Sequence, residues 1–212
     1  MIRETLSLGP LQCNCTVLGC PETREAVVVD PGAEEDRILT VIRKHGLRVT
    51  QILLTHAHFD HIGAVHALQK ATGARVCLHE KDMYLNDNLS QQTALFGFSP
   101  PPRVQVDHFL QHGETIAWGR LRLKVLHTPG HSPGGVCFLV ADQAMVLTGD
   151  TLFYDSIGRT DLWGGDHTQL LRSIREQLLV LEDATRVVPG HGPDTTIGRE
   201  RRENPFLQEP IF

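Results

Sequence analysis

Residues 53–63 read LLTHAHFDHIG, and this stretch decides how the rest of the chain is interpreted. Three histidines and one aspartate fall within six positions, directly after a short apolar run. His56 and His58 lie two residues apart, so in an extended loop their side chains point the same way. Asp60 and His61 stand where a helix is predicted to begin and can turn toward a second point close by. The stretch therefore predicts a strand, a ligand-bearing loop and a helix.

Further along the chain, three more apolar runs each end in a residue that can bind a metal. His131 follows LRLKVLHTPG, Asp150 follows AMVLTG, and His191 follows TRVVPG. Residues at the ends of strands in an α/β fold can converge on one crevice. With the first cluster they give seven nitrogen and oxygen ligands, too many for one tetrahedral zinc. The set suits two metal ions that share one carboxylate and leave a position open for water.

The remaining histidines lie outside this pattern. A lone histidine is more often a hydrogen-bonded structural residue than a ligand, and seven are interpreted in that way: His45, His66, His79, His108, His112, His127 and His167. The five cysteines are odd in number and irregularly spaced, which argues against a disulfide framework. The CNC at residues 13–15 leaves half a metal site open as an alternative, but reduced, buried thiols are the preferred interpretation.

Composition limits the function classes. The chain has 212 residues, 41% of them hydrophobic and 21% charged, which suits one soluble domain over residues 1–212. The formal net charge is -5 and no basic cluster stands out, which argues against nucleic acid as a partner. No apolar run has the character of a secretory signal or a membrane span. A cytoplasmic protein with no membrane partner is therefore expected.

The hydrophobic pattern predicts strands and helices in a mixed order. Apolar runs predict strands at 27–29, 51–54, 75–78, 135–141 and 144–150, a hairpin within 114–130 and a last strand before His191. Helical spacing indicates helices around 38–42, over 60–72 with an end at Gly73, over 170–181 and over 195–203. Residues 79–103 predict irregular or short helical structure, where a lid or substrate-facing insertion could lie. The mixture favours an α/β fold of sheets covered by helices.

The motifs THAHFDH, PGHS, TGD and PGHG, in this order and spacing, resemble those of the metallo-β-lactamase fold superfamily of metal hydrolases. Three further segments resemble its glyoxalase II-like (hydroxyacylglutathione hydrolase-like) branch, in its short, single-domain YcbL-type form: PLQCNCTVLG…AVVVDPG, GRTDLWGGDHTQLLRSI and PGHGPDTTIGRERRENPFL. The resemblance covers almost the whole chain. It implies an αββα sandwich of two mixed β-sheets flanked by helices, with the site at one edge of the sheets.

The resemblance also implies a role for each ligand. The seven ligands would divide between two metals: His56, His58 and His131 on one, Asp60, His61 and His191 on the other, and Asp150 between them. A hydroxide bridging the metals would attack a carbonyl carbon, and Asp60 would orient it as the catalytic residue. Zinc is the first metal expected, with iron and manganese as alternatives. Ser132 and Cys137 lie close to ligands in sequence but are interpreted as structural.

The chain departs from glyoxalase II in the residues that would recognise glutathione. In that enzyme a Lys and a Tyr follow the bridging aspartate; here the segment reads IGRTDLW, so Arg159 can stand for the Lys while Asp161 replaces the Tyr. No Tyr follows His191, and no separate C-terminal helical domain is expected. Arg159 is predicted to contact the substrate. The alternative is a structural ion pair of Arg159 with Asp155 or Asp161.

The function expected from this pattern is a binuclear metal-dependent hydrolase, a thioesterase acting on a small-molecule thioester that could derive from glutathione. The main alternative is a mononuclear iron persulfide dioxygenase, because GRTD also resembles a segment of those enzymes, with His56, His131 and Asp150 as the implied iron ligands. A lactonase or esterase of the same superfamily is a further alternative. A β-lactamase is less favoured because no export signal is visible, and a nuclease because basic surface is lacking. A non-catalytic binding protein with a structural metal completes the set.

Overall fold

The computed structural model describes residues 1–208. The chain forms two compact units, one made of residues 1–110 and 116–122, the other of residues 111–115 and the chain from Leu123 onward. The predicted α/β fold with two mixed β-sheets and helices is confirmed. Within residues 1–208 no helix is long and apolar enough to cross a membrane. The single domain over 1–212 stays a prediction, and residues 209–212 lie outside the described part.

The first sheet contains six strands in their chain order, β1 to β6: Ile2–Leu8, Cys13–Gly19, Glu25–Val29, Arg48–Leu53, Arg75–Leu78 and His108–Phe109. β1, β2 and β3 pair antiparallel, whereas β3 to β6 pair in parallel. Parallel neighbours need a crossover segment, which here carries helices. The pattern analysis missed β1, β2 and β6: β1 and β6 are only partly buried, and β2 places polar Asn14 and Thr16 among its buried residues.

Helix α1, Glu35–Lys44, connects β3 to β4 and contains the predicted helix around residues 38–42. Its buried face consists of Ile38, Val41 and Ile42, which recur at helical spacing. Acidic residues occupy the first turn and basic residues the last, which favours the helix through its dipole. This crossover carries β4 to a position beside β3, so that the ends of both strands lie at the same edge of the sheet.

The helix predicted over 60–72 is two helices, α2 at Phe59–Ile62 and α3 at Val65–Thr72, and the single-helix prediction is wrong. The break lies against the turn after β3. Ala64 donates its backbone N–H to the Pro31 carbonyl at 2.9 Å instead of continuing one helical ladder. A Cβ on Gly63 would lie 2.2 Å from the Gly32 carbonyl oxygen, so only glycine permits this approach. The predicted end at Gly73 is confirmed.

Residues 79–110 contain the predicted short helical structure. A 3₁₀ turn at Glu80–Asp82 leads into α4, Met83–Asp87, and α5, Leu89–Ala94. Residues 95–107 are irregular and lead into β6. Asn86 fixes the return of the chain, because its side chain both donates to the Val104 carbonyl and accepts from the Val104 N–H.

Among the described residues, the second sheet also has six strands: β7 Thr115–Trp118, β8 Leu121–His127, β9 Val136–Val140, β10 Met145–Gly149, β13 Arg186–Pro189 and β14 Thr195–Thr196. Their order across the sheet is β14-β13-β10-β9-β8-β7. β10 and β13 pair in parallel, and the other pairs with a described register are antiparallel. The predicted hairpin and strands are present. A separate small ribbon, β11 at Leu152–Phe153 and β12 at Ser156–Ile157, was not predicted because each strand has only two residues.

Helix α6, His167–Ser173, continues as a π-helical turn over Ile174–Leu178, and α7 spans Ile197–Glu203. The predicted start at residue 170 is three residues late, because the Asp166 side chain caps the helix by accepting from the Gln169 N–H at 2.9 Å. Leu170, Ile174 and Leu178 are fully buried and pack with Val146 and Val187 of the sheet. This layer forms the core of the second unit.

Candidate metal centre

The histidine loop of the first unit, residues 55–61, follows β4 and is held by polar side chains of the helical insertion. Asp82 accepts the Ala57 N–H at 3.1 Å, and Gln92 accepts the Phe59 N–H at 3.1 Å. The Gln92 amide also donates to the Ala57 carbonyl. Asp82 and Gln92 are buried, so these bonds are protected from water. The insertion, where the sequence predicts a lid or substrate-facing segment, fixes the backbone that carries these predicted ligands.

The first unit brings His56, His58 and His61 together. The ring centroids of His56 and His58 are 4.7 Å apart, and those of His56 and His61 are 4.0 Å apart. All three rings are buried. Asp60, in the first turn of α2, places its Oδ2 3.8 Å from Nε2 of His61. Four of the seven predicted ligands therefore lie side by side in this unit.

Asp30, at the end of β3, orients two of these rings. Its Oδ2 lies 3.1 Å from Nδ1 of His61 and accepts the Thr55 hydroxyl at 2.7 Å. Its Oδ1 accepts the Thr55 N–H, also at 2.7 Å. Because the Thr55 hydroxyl proton is directed to Asp30, Oγ1 of Thr55 accepts from Nδ1 of His56, 3.0 Å away. Both histidines then carry their proton on Nδ1 and present the Nε2 lone pair, the arrangement that metal-binding histidines use.

Sequence reasoning missed Asp30 and Thr55 as site residues. A signal was present, since Asp30 follows an apolar strand and precedes Pro-Gly, the same strand-end placement as the other ligands. Asp30 has φ 49°, the left-handed region that aspartate tolerates better than most residues, and it is 2% exposed. A buried carboxylate in this conformation is held there by its polar contacts.

The second unit brings together His131, Asp150 and His191. Nδ1 of His131 donates to the Arg159 carbonyl at 2.7 Å, so Nε2 holds the lone pair. That Nε2 lies 3.6 Å from Oδ2 of Asp150, and Nε2 of His191 lies 3.7 Å from the same oxygen. Asp150 thus stands between two imidazoles within this unit.

Gly130 positions the loop that carries His131. A Cβ on Gly130 would lie 2.3 Å from the backbone nitrogen of Leu170, so the loop and helix α6 approach too closely for any other residue. Its φ of 133° also lies in the region that favours glycine. The Gly130 carbonyl accepts the Asp166 N–H at 2.7 Å, which ties the loop to the residue that caps α6.

The donor set of each unit fits a divalent cation. Nε2 of His61 faces Asp60, and Nε2 of His131 faces Asp150, so in both pairs a lone pair faces a carboxylate oxygen at 3.6–3.8 Å. These separations are too long for hydrogen bonds. They are close to the spacing of about 3.3 Å between two ligand atoms of a tetrahedral zinc. The histidine-rich site can therefore bind metal, with imidazole and carboxylate ligands that zinc and iron both accept.

Arg159 forms the ion pair that was the alternative to a substrate contact. Its Nε and Nη2 each donate to Asp161 at 2.7 Å, while Asp155 pairs with Arg199. The hydrogen bonds from Arg159 lower the pKa of Asp161 to about 2. The Arg159 side chain remains 51% exposed. Its role toward a substrate stays a prediction, whereas its carbonyl already holds His131.

The five cysteines are buried free thiols. Cys13 lies beside the first ligand set, with Sγ 3.5 Å from Nδ1 of His61. Burial raises the pKa of Cys13 to about 12, so it is a neutral thiol at physiological pH and packs against the ring. Cys137 contacts the Thr128 hydroxyl inside the core of the second unit.

Residues 8–191 match the family model of the metallo-beta-lactamase superfamily. Among curated proteins, the chain is 38% identical to hydroxyacylglutathione hydrolase GloC of Haemophilus influenzae, over 96% of this chain and 97% of that protein.

Two solved structures are similar along nearly their whole length. BLEG-1, described as a B3 metallo-beta-lactamase, is 42% identical with a TM-score of 0.92 and covers 98% of this chain and 100% of its own. TTHA1623, solved in a di-iron-bound form, is 43% identical with a TM-score of 0.88 and covers 96% of this chain and 100% of its own.

Proposed function

Because the chain belongs to the metallo-beta-lactamase superfamily of metal-dependent hydrolases, we propose that the ligands of both units serve one binuclear centre that hydrolyses a small-molecule thioester. One metal would be held by His56, His58 and His131, the other by Asp60, His61 and His191, with Asp150 shared. Zinc is the first metal to test, and the di-iron form of TTHA1623 makes iron the second. The proposal places the protein in the hydroxyacylglutathione hydrolase-like branch.

The observation that carries the metal chemistry is the pairing of an imidazole lone pair with a carboxylate oxygen in each unit, His61 with Asp60 and His131 with Asp150. Such pairs are stable together only when a cation or a proton lies between them. The thioester is supported by the 38% identity to a hydroxyacylglutathione hydrolase and by the glyoxalase II-like segments of the sequence. The identity to BLEG-1 makes a β-lactam the competing substrate.

A bound metal pair would lower the pKa of a water molecule and polarise the substrate carbonyl. The carboxylate of Asp60, 16% exposed and fixed in the first turn of α2, would accept a hydrogen bond from that water and hold its attacking lone pair toward the carbonyl carbon. A carbon–oxygen bond forms as the carbon–sulfur bond breaks. The proton released by the water ends on the departing thiolate, and the products are a carboxylic acid and a thiol.

The first experiment is hydrolysis of S-lactoylglutathione by zinc-loaded and iron-loaded protein, next to a β-lactam and a lactone. Asp60→Asn keeps the shape of the side chain but removes the charge, and we expect kcat to fall by about a hundred-fold or more. Asp36→Asn, an exposed substitution in the first turn of α1, is the matched control and should retain full activity. Full activity in Asp60→Asn would exclude the proposed role of that carboxylate. Turnover of the β-lactam alone would reject the thioesterase.

We propose that Arg159 contacts the substrate while it remains paired with Asp161. An exposed guanidinium can bind a substrate carboxylate without leaving this position. Arg159→Ala should raise KM for an anionic thioester and leave KM for a neutral one unchanged. If Arg159→Ala left KM for the anionic thioester at the wild-type value, Arg159 would not be a substrate contact.

A second candidate is the persulfide dioxygenase reaction at a single iron, supported by the GRTD segment at residues 158–161. Oxygen consumption by iron-loaded protein with glutathione persulfide distinguishes it from hydrolysis. Consumption of oxygen without thioester turnover would replace the hydrolase proposal. We also propose a cytoplasmic protein without nucleic-acid or membrane partners, for which the net charge of -5 and the absence of basic clusters in the sequence are the support.

A further inference from the structure

A largely apolar cavity of about 200 Å³ opens beside Asp60 within the first unit. Its walls come from four segments: the end of β1 and the following turn with Leu8 and Leu11, the turn after β3 with Gly32, the start of α2 with Phe59, and the irregular segment after α5 with Phe98 and Pro101. Asp60 is the charged residue among those that line the cavity, and most of the others are apolar. A ligand in the cavity would therefore lie next to the proposed catalytic residue, with its apolar end against the walls.

Phe98 of the cavity wall and the neighbouring Phe96 both pack against Phe59. The ring centroids of Phe59 and Phe96 are 5.4 Å apart, and those of Phe59 and Phe98 are 5.8 Å apart. Phe96 and Phe98 are still 40% and 37% exposed. Large apolar groups left accessible at the rim of a cavity are typical of ligand sites, because a bound apolar group removes their surface from water.

We propose that this cavity binds the acyl group of the thioester, and that the preferred acyl group is apolar, with the bulk of a hexanoyl chain or a phenylacetyl group. The inference rests on the proposed thioesterase and specifies its substrate class. Apolar cavities of about 150 Å³ bind benzene, so about 200 Å³ accommodates a phenyl ring with a linking methylene. A lactoyl group would occupy little of this volume and would bring a hydroxyl against apolar walls.

The acyl series on one thiol tests the size and polarity of the site. Acetyl, butanoyl, hexanoyl and phenylacetyl thioesters of N-acetylcysteamine differ only in the group that the cavity would receive. Each buried methylene should raise kcat/KM by about fourfold. Leu11→Trp fills the cavity from the half-buried turn, so it should lower kcat/KM for the hexanoyl thioester by tenfold or more and abolish the preference for hexanoyl over acetyl. Leu95→Trp is the matched control, because Leu95 is 61% exposed and lies outside the cavity wall.

Binding gives a readout that does not depend on turnover. The hexyl thioether of N-acetylcysteamine cannot be hydrolysed, and its calorimetric titration into wild-type protein should show a negative heat-capacity change from burial of apolar surface. Leu11→Trp should weaken this binding by tenfold or more, and Leu95→Trp should not change it.

The two proposals fail in different ways. Equal kcat/KM for acetyl and hexanoyl thioesters, with a thioether affinity that Leu11→Trp does not alter, would overturn the acyl site while the thioesterase stands. Thioether binding that depends on Leu11, without hydrolysis of any thioester in the series, would support the apolar site and reject the thioesterase.

Discussion

At the scale of single residues, the position of a proton organises the first ligand set. Asp30 accepts from Thr55 and from His61, and Thr55 in turn accepts from His56. One buried carboxylate thereby keeps the Nε2 atoms of two histidines as lone-pair donors. The backbone carbonyl of Arg159 accepts from Nδ1 of His131 and in this way keeps Nε2 of that ring as a lone-pair donor. Outer contacts of this kind set both the direction and the basicity of metal-binding rings.

Thr55→Val tests this chain of hydrogen bonds. Valine has nearly the shape of threonine but no hydroxyl, so Nδ1 of His56 loses its acceptor and Asp30 loses one donor. We expect metal affinity, measured by competition with a chromogenic chelator, to fall about tenfold. Thr55→Ser retains the hydroxyl and should keep the wild-type affinity. Equal loss in both variants would mean that packing, rather than the hydroxyl, maintains the site.

At the scale of elements, the turn after β3 and helix α2 pack so closely that their backbones are in direct contact, with no side chain between them. A Cβ on Gly32 would lie 1.8 Å from the Asp60 carbonyl oxygen, and one on Gly63 would lie 2.2 Å from the Gly32 carbonyl oxygen. The close packing explains why α2 and α3 are separate helices. It also ties the start of α2, with Asp60 and His61, to the strand end that carries Asp30.

Gly32→Ala should push α2 away from this turn. The clash involves backbone on both sides and cannot be relieved by rotating a side chain, so we expect a loss of about 2–3 kcal/mol in the free energy of unfolding. The displaced ligands should also reduce metal affinity by about tenfold. Chemical denaturation and chelator competition measure the two effects.

Gly46→Ala is the control for this substitution. Gly46 has φ 59° and a Cβ added to it would meet nothing within 4 Å, so alanine there adds backbone strain without a clash. It should cost about 1 kcal/mol and leave metal affinity unchanged. A Gly32→Ala protein that binds metal normally would show that α2 does not depend on the turn for its placement.

At the scale of the whole molecule, the proposal that ligands from both units share one centre predicts coupled effects on stability. A metal present at a thousand times its Kd stabilises the folded state by about 4 kcal/mol. In a chain of this size that corresponds to a rise in Tm of about 10 °C. Addition of a strong chelator should remove the rise.

Variants in each unit reveal whether the stabilisation has one source. His58→Ala in the first unit and His131→Ala in the second should each abolish most of the metal-induced rise in Tm, and the double variant should lose no more than either alone. His66→Ala, an exposed position on α3, should keep the full rise. Losses that add in the double variant would indicate two independent sites and would contradict the shared centre.

The sequence by itself determined the class of fold and the chemical character of the site. Apolar runs with helical or alternating spacing predicted most strands and helices, because burial of side chains follows the backbone period. The motifs THAHFDH, PGHS, TGD and PGHG resemble those of the superfamily to which the chain belongs, and their histidines and aspartates predicted a metal site. Hydrophobic periodicity and motif composition depend on residues close together in the chain, so both can be recognised in the sequence.

Only the tertiary structure decided the contacts between segments that are distant in the sequence. Asp30 reaches His61 across 31 residues, and Asp82 and Gln92 reach the ligand loop from the insertion. The break between α2 and α3 arises from the Gly32 turn, so the helical pattern over 60–72 could not show it. The cavity beside Asp60 needs four separate segments for its walls. Contacts between distant segments leave no periodic pattern in the sequence, so the hydrogen bonds of the histidines, the helix break and the apolar cavity are seen only in the folded chain.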